Sequence, residues 1–304
     1  MDYNSIIICI LSIIIIILIY LRVDIYNHNT CKYSNYQHIQ NNNHLYNIID
    51  NLSCDQSLTI PKFIYQFYFG QGNNMPLELQ QNIENIKAMN PNWTHVLFRD
   101  GDIEKFIEKY YGNNMLTIYN MINPNYGAAR ADFFRYLLMY KKGGVYLDIK
   151  STTRVNLDNT ISVNDKYILS HWGKYIQYNA KLLNLQRGEF QQWHIITIPG
   201  HEFLREVIKQ VIYNIFNYDT LHGVGRFGVL QLTGPITYTK TILNCINNGN
   251  TDYRLVKSNE DIGLRYTIYD NSKGDYKPKI IQTHSNLFKK HYTNLSEPVV
   301  VSIY

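Results

Sequence analysis

The chain has 304 residues, of which 45% are hydrophobic and 17% charged, so it can bury a full core and is typical of a folded globular protein. Its net charge of +5 is small and spread along the chain. That pattern argues against a nucleic-acid-binding surface.

The N-terminal stretch is the most hydrophobic part of the sequence. Residues 3–21 carry no charge and are mostly isoleucine and leucine, and a helix of that length spans roughly 28 Å, near the hydrocarbon thickness of a bilayer. A cleaved signal peptide is the alternative, but residues 1–4 lack a basic residue and no small-residue cleavage site follows position 21. We therefore expect a short tail at 1–4, a transmembrane signal-anchor at 5–21 and a polar stem at 22–58.

A folded domain is expected at 59–304, because segments with strand and helix patterns alternate there. Strands are predicted at 62–69, 94–98, 145–149, 167–170, 195–198 and 280–283. Helices are predicted at 76–89, 102–110, 129–142 and 201–214, and from position 236 onward. This alternation favours a mainly parallel α/β sheet flanked by helices.

The most informative stretch runs from Ala131 to Lys150. Its apolar residues recur every three or four positions and predict a core-facing helix that stops at Gly143. A buried strand follows, in which Tyr146, Asp148 and Lys150 face away from the apolar side chains. Asp148 therefore comes at the C-terminal end of a hydrophobic strand, where α/β sheets present their ligands.

These residues resemble the signature of the glycosyltransferases with an aspartate-any-aspartate motif, and most of all glycosyltransferase family 32. That family includes yeast mannosyltransferases and capsular-polysaccharide enzymes, and the clostridial glucosylating toxins share its core. The shared pattern is Ala131-Asp132 with Arg135-Tyr136, then Gly143-Gly144 and Tyr146-Leu147-Asp148. Weaker similarities are the opening strand at 60–70, the segments at 90–93 and 98–100, Thr233-Gly234-Pro235 and His284.

The resemblance implies a GT-A type fold, a Rossmann-like mixed sheet that binds a nucleotide sugar, and a set of site residues. The catalytic residues implied are Asp132, Arg135 and Asp148. The substrate-binding residues implied are Tyr65, Gln66, Arg130, Lys150, Thr233, Gly234 and Pro235. Asp148 and His284 are the implied ligands of Mn²⁺ or Mg²⁺. From the residues alone, Asp132 and Arg135 also fit an ordinary ion pair on a helix, and Thr233-Gly234-Pro235 also fits a turn before the helix.

One position departs from the family pattern, because the second aspartate of the motif is Lys150. A pair of charges that sums to −2 becomes a pair that sums to zero, which weakens the attraction for a divalent cation. Three outcomes are open. Metal still binds through Asp148, His284 and the diphosphate; or Lys150 itself neutralises the diphosphate; or catalysis is lost.

A second pattern, Gly223-x-Gly225-x-x-Gly228, spells the dinucleotide-binding fingerprint. That fingerprint needs a buried strand before it and an acidic residue about 20 positions later. Polar residues precede this one and an asparagine lies near position 248. We therefore reject it and predict a flexible loop over the acceptor site.

The predicted function is transfer of a sugar from a UDP- or GDP-sugar to a glycan or protein-linked acceptor, with retention of anomeric configuration if the chain follows family 32. The resemblance also implies a single-pass type II protein whose catalytic domain lies in the lumen of the secretory pathway. A catalytically silent nucleotide-sugar- or glycan-binding homologue is the alternative, because of Lys150. A membrane-tethered interaction module is a third reading, which leaves Asp132, Arg135 and Asp148 unexplained.

Overall fold

The structure, a computed structural model, describes residues 54–68, 75–99, 101–172, 178–179, 183–220, 223–269 and 292–301. The predicted anchor at 5–21, most of the stem, the predicted strand at 280–283 and His284 lie outside these ranges. Among the described residues, no helix is long and apolar enough to cross a membrane.

One mixed sheet of six strands runs through the described residues. Its strands are β1 (Phe63–Tyr68), β2 (Thr94–Arg99), β3 (Gly144–Leu147), β5 (Tyr167–Ser170), β6 (His194–Thr197) and β7 (Arg254–Val256). They lie side by side in the order β2-β1-β3-β6-β5-β7. A separate antiparallel pair joins β4 (Thr152–Thr153) to β8 (Leu264–Arg265). Strand β6 runs antiparallel to both of its neighbours, and the other three pairs are parallel.

Six α-helices are found in the described ranges. They are α1 (Leu77–Met89), α2 (Asp102–Asn120), α3 (Gly127–Lys142), α4 (Glu202–Phe216), α5 (Gly225–Leu232) and α6 (Pro235–Asn247). Two of them differ from the sequence prediction. Helix α2 does not end at Tyr110 but continues through a kink at Gly112, whose φ of 77° only glycine adopts readily. Helix α5 occupies the segment predicted as a flexible loop, so that prediction was wrong.

The glycine pattern at 223–228 has a packing explanation. A Cβ at Gly228 would lie 2.5 Å from the carbonyl oxygen of Gly223 and 2.6 Å from Val299. The first turn of α5 is therefore pressed against its own N-terminal loop and against the C-terminal segment, which only glycine permits. The pattern reflects close packing, which agrees with the rejection of a dinucleotide site.

Strand β3 is buried on both faces. Val145 and Leu147 pack in an apolar cluster with Ile64 and Ile196. On the other face, Phe67 contacts both Tyr146 and Phe134, with ring centroids 4.8 Å apart in each case. The second contact joins helix α3 to the sheet.

Helix α3, the turn at Gly143 and strand β3 form one αβ unit that folds back on itself. From Asp132 to the end of α3 the helix advances about 15 Å, and from Gly144 to Asp148 the strand returns about 13 Å. The two carboxylates therefore meet although they are sixteen positions apart. The turn needs glycine, because a Cβ at Gly143 would lie 2.6 Å from Pro199, and one at Gly144 would lie 2.8 Å from the carbonyl oxygen of Phe63.

Candidate functional site

An arginine held between two carboxylates lies at the C-terminal end of β3. Arg135 approaches Asp132 Oδ1 at 3.1 Å and Asp148 Oδ1 at 3.4 Å through the same guanidinium nitrogen. The side chains of Asp132 and Arg135 are only 6% and 7% exposed, whereas that of Asp148 is 23% exposed. Asp148 is therefore the most solvent-exposed member of this trio.

Neighbouring side chains fix each member of the trio. The hydroxyl of Tyr146 donates to Asp148 Oδ1 at 2.6 Å, and the ring of Tyr146 lies 4.8 Å from the centre of the Arg135 guanidinium. Thr233 donates to Asp132 Oδ2 at 3.2 Å, and Gln192 donates to Asp132 Oδ1 at 3.3 Å. Each contact holds a charged group in one orientation, as a pre-organised site requires.

Gln192 was not predicted from the sequence. Its carbonyl oxygen accepts from Arg135 at 2.8 Å, and its side-chain oxygen accepts from Tyr136. It reaches the site because β6 runs antiparallel to β3, which brings the start of β6 beside the end of β3. No pattern in the sequence indicates that strand direction.

Burial dominates the electrostatics of the trio. Burial raises the pKa of Asp132 to about 7; Arg135 opposes the shift and Asp148 adds to it. Burial would lower the pKa of Arg135, but Tyr146, Asp148 and Asp132 together raise it above its usual value. Arg135 therefore keeps its charge, while Asp132 is poised to change its own near neutral pH.

Lys150 lies in a turn rather than on the strand. Strand β3 ends at Leu147, and the amide of Ser151 donates to the carbonyl oxygen of Asp148 at 2.8 Å, so the strand predicted to reach Ile149 is too long. The ammonium of Lys150 bonds the hydroxyl of Tyr266 at 2.9 Å and lies 4.4 Å from the centre of that ring. Tyr266 thus holds the ammonium of Lys150, which follows Asp148 by two positions in the sequence, through a hydrogen bond and a cation–π contact.

The other predicted residues fall into two groups. Thr233 joins the trio, and Gly234 with Pro235 starts helix α6, with Pro235 in its first turn. Arg130 instead bonds the carbonyl oxygen of Ile122 at 3.1 Å and lies over the ring of Tyr119.

Tyr65 and Gln66 lie next to each other in β1 but have different surroundings. Tyr65 packs with Phe63 and Phe98 in the sheet. Gln66 is fully buried, and its amide nitrogen donates to the carbonyl oxygen of Asp148 at 3.1 Å.

The described residues do not by themselves form a cage for a divalent cation. Within the described ranges, no three His, Cys, Asp or Glu side chains come together. Asp148 Oδ1 already faces the hydroxyl of Tyr146 and the guanidinium of Arg135, and Lys150 brings a positive charge two positions later. A hard cation prefers several oxygen ligands. His284, the other predicted ligand, lies outside the described residues.

Comparison with known proteins agrees with this geometry. Residues 76–167, which include the whole trio, match the family described as "Glycosyltransferase sugar-binding region containing DXD motif". The central segment of the chain is therefore similar to a glycosyltransferase sugar-binding region. The resemblance predicted from the sequence is thereby confirmed.

Two curated relatives extend the similarity beyond the sugar-binding region. An initiation-specific alpha-1,6-mannosyltransferase of Candida albicans is 28% identical over 218 residues, covering 64% of this chain and 55% of the relative. Inositol phosphoceramide mannosyltransferase 3 of Schizosaccharomyces pombe is 27% identical over 184 residues, covering 60% of this chain and 44% of the relative. The chain thus spans about half the length of these relatives.

A solved structure, the PaToxG glycosyltransferase, aligns with 68% of this chain and 75% of its own. The TM-score is 0.46 and the sequence identity 15%.

Proposed function

We propose that the chain is a sugar transferase of the GT-A type that uses a nucleotide-diphosphate sugar as its donor. The observation that carries this proposal is the trio of Asp132, Arg135 and Asp148 at the end of β3, inside the segment that matches the sugar-binding region. A buried acid and a buried arginine beside a partly buried second acid are costly to maintain in a folded protein. A binding role for the polar groups of a sugar and a diphosphate gives them a reason to be there.

Sugar transfer from a nucleotide-diphosphate sugar requires positive charge near the diphosphate leaving group. The bond from the sugar C1 to the diphosphate oxygen breaks, and a bond from C1 to the acceptor hydroxyl oxygen forms. The proton of that hydroxyl passes to the leaving diphosphate, which makes the diphosphate the base. The chain contributes by stabilising the negative charge that develops on the diphosphate.

Each residue of the site has a role in this scheme. Lys150 and Arg135 supply the positive charge, with Lys150 oriented by Tyr266 and Arg135 by the two acids. Asp132 accepts hydrogen bonds from hydroxyl groups of the donor sugar, and Asp148 orients the donor at the strand end. We propose retention of anomeric configuration by attack from the same face as the departing diphosphate. No step of this scheme uses a carboxylate of the chain as a covalent nucleophile.

If Mn²⁺ or Mg²⁺ binds, Asp148 and His284 would hold it beside the diphosphate, where it would supply further positive charge. No step of the scheme depends on it. Since Lys150 replaces an acid of the motif, we expect weaker metal dependence than in an enzyme with two acids. Replacing Lys150 by aspartate should increase that dependence.

The names of the relatives guide the choice of substrates. Both are mannosyltransferases, so GDP- and UDP-activated mannose are the first donors to test, followed by other UDP- and GDP-sugars. The name of the second relative points to inositol phosphoceramide as one acceptor class to test. A glycan or a protein-linked acceptor is the other class, which the family resemblance implies. A single-pass type II arrangement, with the catalytic domain in the secretory-pathway lumen, fits the apolar stretch at 5–21.

The test uses a soluble fragment starting at Thr59, with donor hydrolysis and transfer measured for each nucleotide sugar. Each donor is tried with Mn²⁺ and with chelator, for the wild-type fragment and for Lys150→Asp. Nucleotide-sugar binding is measured by calorimetry in parallel. We expect turnover of one donor class, with a larger response to Mn²⁺ in Lys150→Asp than in the wild type.

The same experiment separates the alternatives. Binding without turnover in the wild type, together with turnover in Lys150→Asp, would favour the catalytically silent homologue that Lys150 suggests. Failure of both proteins to bind any nucleotide sugar would contradict the proposal and favour an interaction module.

A further inference from the structure

We propose that Gln66 and Asn82 are positioning residues. Their amides hydrogen-bond the backbone of the turn 148–151 from its core-facing side, an arrangement called the clamp below, and so set the placement of Asp148 and Lys150. This inference rests on the proposed function. Neither side chain is exposed, Gln66 at 0% and Asn82 at 3%. Gln66 comes from strand β1 and Asn82 from helix α1, so two separate elements converge on one short turn.

The carbonyl groups of the turn show what the two amides do. Gln66 donates to the carbonyl oxygen of Asp148 at 3.1 Å, and Asn82 donates to that of Ser151 at 2.8 Å. Both amide nitrogens also lie 3.5 Å from the carbonyl oxygen of Ile149. The fourth carbonyl, that of Lys150, accepts from the amide of Ile268 at 2.8 Å. Every carbonyl oxygen of the turn thus has a donor, and two side chains serve three of the four.

His95 fixes the orientation of Gln66. Its Nε2 lies 3.0 Å from Gln66 Oε1, and burial lowers the pKa of His95 to about 4, so the ring is neutral at physiological pH. With Nε2 protonated, the ring donates to Gln66 Oε1 and leaves the amide nitrogen of Gln66 facing the carbonyls. Buried polar groups that are fully paired in this way specify one arrangement.

The direction of these contacts decides their role. Both amides approach the backbone of the turn from the core, while the carboxylate of Asp148 is 23% exposed and faces Arg135 and Tyr146. Gln66 and Asn82 therefore act on the reaction through the turn, and not by touching the donor.

The test compares Gln66→Met and Asn82→Leu, which remove the donors and keep the volume. Two variants serve as controls. Gln80→Met removes an amide that donates to the carbonyl oxygen of Met75 from the exposed side of α1. Ile86→Val shortens a fully buried side chain of α1 and should lower stability while leaving the hydrogen bonds from Gln66 and Asn82 to the turn in place.

Three experiments are done below the unfolding transition of every variant. They measure the kcat and KM of donor hydrolysis, the Kd for UDP and for GDP, and the hydrogen exchange of segment 144–153. In Gln66→Met and Asn82→Leu we expect kcat/KM to fall about 10- to 100-fold, the range that a misplacement of about 1 Å produces. Exchange at the turn should accelerate in both, and remain as in the wild type in Gln80→Met. The double variant should lose less than the product of the two single effects, because both amides serve the same carbonyls.

The outcomes separate this inference from the proposed function. If the wild type turns over a donor, and Gln66→Met and Asn82→Leu behave like Ile86→Val, the clamp is refuted while the proposed function stands. If the wild type neither binds nor turns over any donor, the proposed function fails, and hydrogen exchange alone decides the clamp. Unchanged exchange at the turn in both variants would then overturn it.

Discussion

Arg135 is the residue on which the site depends. Its guanidinium contacts Asp132, Asp148, the ring of Tyr146 and the carbonyl oxygen of Gln192, and its side chain is 7% exposed. Its removal would leave one buried acid and one partly buried acid without their shared counter-charge. Breaking a buried ion pair in this way is far more costly than forming it is beneficial.

We therefore predict that Arg135→Met lowers the free energy of unfolding by about 3–5 kcal/mol, measured by urea denaturation. Lys87→Met is the matched control, because Lys87 pairs with Glu84 at 2.8 Å on the exposed side of α1. Its loss should cost less than about 1 kcal/mol. Equal losses in the two variants would show that burial does not govern the Arg135 contacts.

His194 provides a test of electrostatics next to the site. It is fully buried, its Nε2 lies 2.8 Å from Ser170 Oγ, and burial lowers its pKa to about 3. In the unfolded chain the same ring takes up a proton near pH 6.5. Between those values the unfolded state binds more protons, so this residue's contribution to stability falls as the pH falls.

Lowering the pH from 7 to 5 should therefore cost the wild type about 2 kcal/mol more stability than it costs His194→Gln. Burial of Asp132 acts in the opposite direction, since its raised pKa favours the folded state as the pH falls. The comparison of the two proteins isolates the histidine. Parallel pH profiles of the free energy of unfolding would contradict the buried neutral state of His194.

At the residue scale, the motif identified the three residues of the trio but not the residues that hold them in place. Asp132, Arg135 and Asp148 could be predicted because the family resemblance rests on them, and because the helix and strand patterns put them on consecutive elements. Gln192, Asn82 and other supporting residues, by contrast, come from elements whose position depends on sheet order and strand direction. Nothing in the local sequence around those residues encodes that information.

At the scale of elements, the αβ unit from α3 to β3 places the site, and its turn is the critical point. Gly143 and Gly112 have similar backbone conformations, each with a positive φ (63° and 77° respectively) and an extended ψ. They differ in their surroundings, because a Cβ at Gly143 would lie 2.6 Å from Pro199, and one at Gly112 would meet nothing within 4 Å.

This contrast gives a matched pair of variants. Gly112→Ala should cost about 1–3 kcal/mol through backbone strain alone. Gly143→Ala should cost about 1–3 kcal/mol more, because the added methyl group overlaps the chain at Ile198 and Pro199, just after β6. Thermal and urea unfolding measure both. Equal losses would mean that the turn adjusts without strain at Pro199.

Most elements of the described region were predictable because their hydrophobic periods are clear. Strand β1, helix α1 and helix α4 follow such patterns, and the structure agrees with them. Helix α5 was missed because three glycines in its first turns and the preceding loop lower its helical propensity. Close packing against Gly223 and Val299 explains why Gly228 is needed. The direction of β6 was also missed, since sequence periodicity does not report it.

At the scale of the whole molecule, the site combines two acids and two cations. Asp132, Asp148, Arg135 and Lys150 sum to zero when all are ionised, so the site lacks the net negative charge that would draw in a metal on its own. This balance fits a site in which a lysine takes part of the charge-neutralising role. The matched segment, 76–167, contains all four residues.

The most direct test of this account is the rate of sugar transfer from the preferred donor by Asp148→Asn, compared with Asp252→Asn, a control at an exposed position outside the site. The account predicts that Asp148→Asn stays folded and loses at least about 100-fold in kcat/KM, while Asp252→Asn keeps the wild-type rate. A wild-type rate in Asp148→Asn would contradict the assignment of the strand end as the catalytic centre.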